Sequence, residues 1–85
     1  MATKQEKIKT KEEVKEQISF NIRKYRKERN ITQEKLADNA DISYDFMRRI
    51  ESSSGKCGFS IYTLYKLSLA LDVTIDELLD GKIEK

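Results

Sequence analysis

Apolar residues recur along this chain at three- and four-residue steps, the interval that places side chains on one face of a helix. Val14, Ile18, Ile22 and Tyr25 form the first stripe, and the T-x-x-E of Thr10 to Glu13 opens it. That motif is a capping box, in which the threonine hydroxyl and the glutamate carboxylate each accept a backbone N–H left orphaned by the first turn. Asn30 tolerates the left-handed conformation and ends a helix of roughly 19 residues, about 28 Å long at 1.5 Å per residue. Four later starts carry a hydrophobic staple, an apolar residue before the cap that packs on one four positions after it. The pairs are Ile31 with Leu36 about Thr32, Ile42 with Met47 about Ser43, Phe59 with Leu64 about Ser60, and Val73 with Leu78 about Thr74. Glu77 completes a second capping box with Thr74, and Gly81 offers a C-cap.

The buried faces follow from the same spacing. Leu36, Ala37 and Ala40 point inward on the second helix, Met47 and Ile50 on the third. The fourth carries two stripes: Ile61, Leu64, Leu67 and Leu71 with Ala70 beside them, and Tyr62, Tyr65 and Leu69. A helix apolar on two faces is either central to its domain or shares an interface. The predicted fold is all-α, a five-helix bundle over residues 10–81. Residues 1–9 form a polar, Lys-rich flexible arm and 82–85 a short tail.

Within that bundle, Thr32 to Glu51 reads as two short capped helices joined by a tight turn at Asp41. Neither can stand alone in water, because nucleating two or three turns costs more than their hydrogen bonds return. Packed on a larger helical body, they have the helix-turn-helix layout. Thr32-Gln33, Leu36-Ala37, Ile42-Ser43, Met47 and Ile50-Glu51 resemble the signature of Cro/CI-type (XRE-family) helix-turn-helix repressors, and the likeness runs from about Ile18 to Leu79. The chain departs from the family at Asp41, where glycine is usual, and aspartate accepts the left-handed conformation better than most residues do. Its first helix also begins one to two turns early, as decoration or as a dimer contact.

Composition narrows the chemistry. Eighty-five residues make one domain, and the absence of proline suits helices. The chain has no histidine, and Cys57 is its single cysteine. The usual general acid–base, nucleophilic and transition-metal arrangements therefore lack their commonest members. No enzyme, metal, cofactor or small-molecule ligand is expected. A lone thiol suits a reducing cytosol, and the polar N-terminus resembles neither a signal peptide nor a membrane span. The expectation is a cytoplasmic protein with no membrane partner and no effector domain after residue 81. Net charge is only +2, but residues 1–35 hold eleven Lys or Arg against six Asp or Glu, and residues 72–85 hold two against five. A basic front and acidic back orient a molecule towards a polyanion, or they are simply solvated helix surface.

The family resemblance decides between those readings. It implies a sequence-specific regulator, a repressor acting as a homodimer, that reads the major groove of double-stranded DNA with the helix over 43–51. On that helix, Tyr44, Asp45 and Arg49 occupy the family's base-reading positions. Arg49 suits guanine O6 and N7, and Asp45 suits an amino group or a structural role in the first turn. Tyr44 bonds phosphate or stacks on the groove wall, and Phe46 packs on the second helix or touches a thymine methyl. Gln33, Ser43, Arg48, Lys56 and Arg23 are the expected phosphate contacts. Lys56 lies in the Ser/Gly-rich segment 52–59, which is otherwise an ordinary surface connection. Arg26 corresponds to a family arginine that pairs with the glutamate here numbered Glu51, a structural pair. Tyr65, Leu69, Ile75 and Leu79 make the expected dimer surface, with an internal core role as the competing view. The alternative function is a protein-interaction module such as an antitoxin or adaptor, using the apolar face of the fourth and fifth helices.

Overall fold

Side-chain caps punctuate the chain in the computed structural model, which describes residues 8–52, 58 and 60–81. Five helices follow in order: α1 Lys11–Glu28, α2 Gln33–Ala40, α3 Tyr44–Glu51, α4 Ile61–Leu71 and α5 Ile75–Leu79. Thr10, Thr32, Ser43, Ser60 and Thr74 precede them, and each side chain accepts the backbone N–H three residues on. Both capping boxes close, with Glu13 and Glu77 returning bonds of 2.8 and 2.9 Å to the N–H groups of Thr10 and Thr74. No strand occurs among the described residues. The architecture is the all-α bundle that the periodicity predicts.

Three connections share one construction. Asn30, Asp41 and Asp72 take φ values of 55°, 56° and 57°, in the left-handed region. The next residue then donates back five positions: Ile31 N–H to Arg26 O, Ile42 N–H to Ala37 O and Val73 N–H to Ser68 O. This is the Schellman closure, which satisfies carbonyls that the helix end leaves orphaned. Ile31, Ile42 and Val73 also pack on the core, and the cap of the following helix comes immediately after each. One tripeptide, Asn/Asp-Ile/Val-Ser/Thr, thus ends a helix and begins the next. It recurs three times, so the aspartate at the helix-turn-helix turn follows this chain's own pattern.

The core lies where α1, α3, α4 and α5 converge, with α2 laid across α3 and α4. Ile22, Leu36, Met47, Leu67, Leu71 and Leu78 are fully buried. Each such side chain contributes about 1.5 to 3 kcal/mol through removal from water. Two expectations change. Ile61 is 69% exposed, so the inward stripe of α4 starts at Leu64. Gly81 does not close α5; Asp80 is its C-cap, in extended conformation, and Gly81 lies beyond at φ 105°. The Phe59 half of one staple, Cys57, Lys56 with most of its segment, the arm before residue 8 and the 82–85 tail lie outside the described residues. No described helix is long and apolar enough to cross a membrane.

Candidate nucleic-acid interface

The short helix α3 is amphipathic, and α1 holds its inner side. Met47 and Ile50 enter the core, and Glu51 is buried to 3% exposure at the helix end. A carboxylate taken out of water needs a cation and hydrogen bonds to remain charged. Arg26 supplies both: its Nε donates to Oε2 at 2.7 Å and its Nη2 to Oε1 at 3.0 Å. The expected structural pair is therefore present, bidentate and sheltered. Arg26 Nη1 also donates to Ile31 O at 3.0 Å, which ties the α1–α2 turn to the same guanidinium.

Two further residues on the same side of α1 complete the clamp. Ser19 Oγ donates to Ile50 O at 2.6 Å, and Arg23 Nη1 donates to Glu51 O at 2.8 Å. Spaced at i, i+4 and i+7, Ser19, Arg23 and Arg26 share one face and meet the last turn of α3. Arg23, expected at phosphate, thus has one Nη group on the C-terminal carbonyl of α3. The sequence reading missed Ser19 altogether. Its signal was indirect: α3 ends without a glycine cap, so its last carbonyls need donors from elsewhere.

The outer face of α3 presents Tyr44, Asp45, Arg48 and Arg49, all exposed, with Ser43 as its cap. They are brought together as the sequence predicts. Arg49 Nη2 lies 3.2 Å from Asp45 Oδ2, an i,i+4 ion pair with both side chains more than half exposed. Arg48 sits over the Tyr44 ring at 5.7 Å, and Arg49 over the Phe46 ring at 6.0 Å. Phe46 itself is half-buried against the core, as the packing alternative anticipated. Ser43 Oγ accepts from Phe46 N–H at 3.0 Å, which leaves its own hydrogen available to donate. Gln33 is half-buried at the start of α2, and its Nε2 donates to Glu51 Oε1 at 3.1 Å. That bond uses one of the two amide hydrogens.

A second clamp operates on the opposite face of α1. Asn21 is buried, and its Nδ2 donates to Leu78 O and Asp80 O, each at 2.8 Å. Gln17 Nε2 orients it through a 3.2 Å bond to Asn21 Oδ1. Neither residue was anticipated. Among the expected dimer residues, Leu69 is 64% and Leu79 41% exposed, Tyr65 is exposed with its ring stacked on Tyr62, and Ile75 is half-buried. Tyr65, Leu69 and Leu79 are thus surface residues.

Known proteins resemble both the sequence and this arrangement. The model of a family described as a helix-turn-helix domain matches residues 20–84. Among solved structures, the N-terminal DNA-binding domain of SinR from Bacillus subtilis is 35% identical, with a TM-score of 0.73, covering 81% of this chain and 99% of that one. A hypothetical transcription factor, NHTF, from Neisseria has a TM-score of 0.74 at 19% identity, covering 91% and 84%, a likeness of fold alone. None of the curated proteins is significantly similar. With the family model spanning most of the chain and the same fold in the SinR domain, the chain belongs to the helix-turn-helix family, of the Cro/CI (XRE) type.

Proposed function

We propose that this chain is a sequence-specific transcriptional repressor that binds double-stranded DNA as a homodimer and reads an inverted-repeat operator with α3 in the major groove. The division of α3 carries this reading. Its inner side is anchored by Met47, Ile50 and the buried Glu51, while four polar or cationic side chains stand exposed on the outer side. A rigid helix with free donors suits the major groove, where every base pair presents a distinct pattern of donors and acceptors. Arg49 reads guanine, with Tyr44 and Asp45 beside it at the base edges. Arg48 and Ser43 contact phosphate, Lys56 does so from the following segment, and Gln33 uses its second amide hydrogen there. Arg23 serves by holding α3. The second copy docks through Tyr65, Leu69 and Leu79 with Ile75 behind them, which pairs two reading helices across a symmetric site.

Selection of bound duplexes from a random DNA pool at about physiological salt tests this, with Arg49→Ala in parallel. The expected outcome is an inverted repeat with half-sites about one helical turn apart. The substitution should cost about 1 to 3 kcal/mol of discrimination at one base pair in each half-site. A pool without enrichment, or the same enrichment with Arg49→Ala, would exclude α3 as the reading element.

A further inference from the structure

Asp45 and Arg49 stand one turn apart on the outer face of α3, and in the free protein they bond to each other, Oδ2 to Nη2 at 3.2 Å. We propose that the two act as one reading unit, in which Asp45 sets specificity by orienting Arg49 and by admitting only an amino-bearing base next to its guanine. The inference rests on α3 being the reading helix.

Donor and acceptor counts permit the unit to remain intact on DNA. A guanidinium carries five N–H donors, so the bond to Asp45 leaves four, and guanine O6 and N7 need two. A carboxylate has about four lone-pair sites, so Asp45 retains acceptor capacity after Arg49 takes one. That capacity faces the groove, where guanine offers only acceptors and thymine an acceptor and a methyl group, while cytosine offers its N4 amino group. Asp45 is therefore repelled by guanine and thymine edges, is met only in part by adenine, whose N6 amino group stands beside the N7 acceptor, and is satisfied by cytosine. The same negative charge is repelled by phosphate. As long as Arg49 is bonded to Asp45, it is held over the base edges and kept from the nearest phosphate, the default partner of a free surface arginine.

No other described cation forms an ion pair with Asp45, and no other described carboxylate forms one with Arg49. Arg48, the neighbouring cation, lies instead over Tyr44. Both side chains of the pair are more than 60% exposed, so neither is needed to complete the core.

Three variants, Asp45→Ala, Asp45→Asn and Arg49→Ala, separate the possible outcomes when each is taken through duplex selection and salt-dependent binding. Wild type should select guanine with a cytosine beside it. Asp45→Ala should lose the cytosine, weaken the guanine preference about tenfold, bind random duplex more tightly, and steepen the slope of log K against log salt by about one as Arg49 moves to phosphate. Asp45→Asn should change the cytosine to adenine, whose N6 and N7 match a carboxamide. If Asp45→Ala leaves both base preferences intact while Arg49→Ala abolishes the guanine, Asp45 is a bystander and the inference fails while the reading helix stands. If Arg49→Ala changes nothing, the assignment of α3 fails and the inference falls with it.

Discussion

Helix α3 carries two arginine–carboxylate pairs, and they have opposite characters. At its C-terminal end Glu51 is enclosed, with side chains of the pair only 13% and 2% exposed and a shortest contact of 2.7 Å to Arg26. On its outer face Asp45 and Arg49 meet once, at 3.2 Å, with 71% and 63% exposure. The ionic groups are the same kinds; burial and the number of bonds separate them. The enclosed pair cannot exchange partners without stranding a charge, so it fixes where α3 sits. The open pair can exchange its partners at little cost, because water already competes for every bond it makes, and on the proposed reading base edges take their place. Solvent access thus divides one eight-residue helix into a fixed end and an exchangeable face.

The strongest way to break this contrast is to remove one partner of the enclosed pair. Arg26→Ala leaves Glu51 charged and buried with only Gln33 Nε2 to face its carboxylate. A loss of about 3 to 5 kcal/mol is expected, measured as the shift of a urea unfolding midpoint at constant slope. A loss below about 1 kcal/mol would place this pair with the exposed ones. Combining it with Glu51→Leu should recover a large part of the loss, since the stranded charge disappears with its partner.

A neutral clamp supplies the intermediate case. Asn21 meets the carbonyls that end α5 much as Ser19 and Arg23 meet those of α3, but without formal charge. Asn21→Ala should cost about 2 to 3 kcal/mol, the price of leaving buried carbonyls unsatisfied. The same unfolding measurement applies, and the value should fall below that of Arg26→Ala. If the neutral clamp proves the costlier of the two, charge is not what makes the α3 anchorage strong.

How much of this is legible in the sequence depends on the range of the interaction. Caps, staples and the left-handed Asn30 and Asp41 are local, so Thr32, Ser43 and Thr74 announce their helices within five residues. The outer face of α3 is equally local, since the burial of Met47 and Ile50 dictates which neighbours remain outside. The Arg26–Glu51 pair spans 25 residues and was legible only through family resemblance. Ser19 to Ile50 spans 31 residues and Asn21 to Asp80 spans 59, and no motif records either. A polar side chain beside an apolar stripe looks like solvated surface until the helix that needs its donor is in position. Gln17 and Asn21 flank Ile18 and Ile22 in that way, and the bond from Arg23 to Glu51 O went unforeseen for the same reason.

The smallest effect is the one that sharpens the contrast most. Asp45→Ala removes an exposed i,i+4 pair and a carboxylate from the first turn of α3, two contributions of a few tenths of a kcal/mol each, so the total loss of stability should be below about 1 kcal/mol. Its size matters less than its response to salt. Exposed charges are screened over about 10 Å at 0.1 M ionic strength and about 3 Å at 1 M, whereas charges enclosed by protein are screened much less. Unfolding in urea with and without 1 M sodium chloride should therefore shrink the Asp45→Ala difference towards zero and leave most of the Arg26→Ala difference in place. Equal shrinkage of both would mean that water and ions reach Glu51, and the division of α3 into a fixed end and an exchangeable face would lose its physical basis.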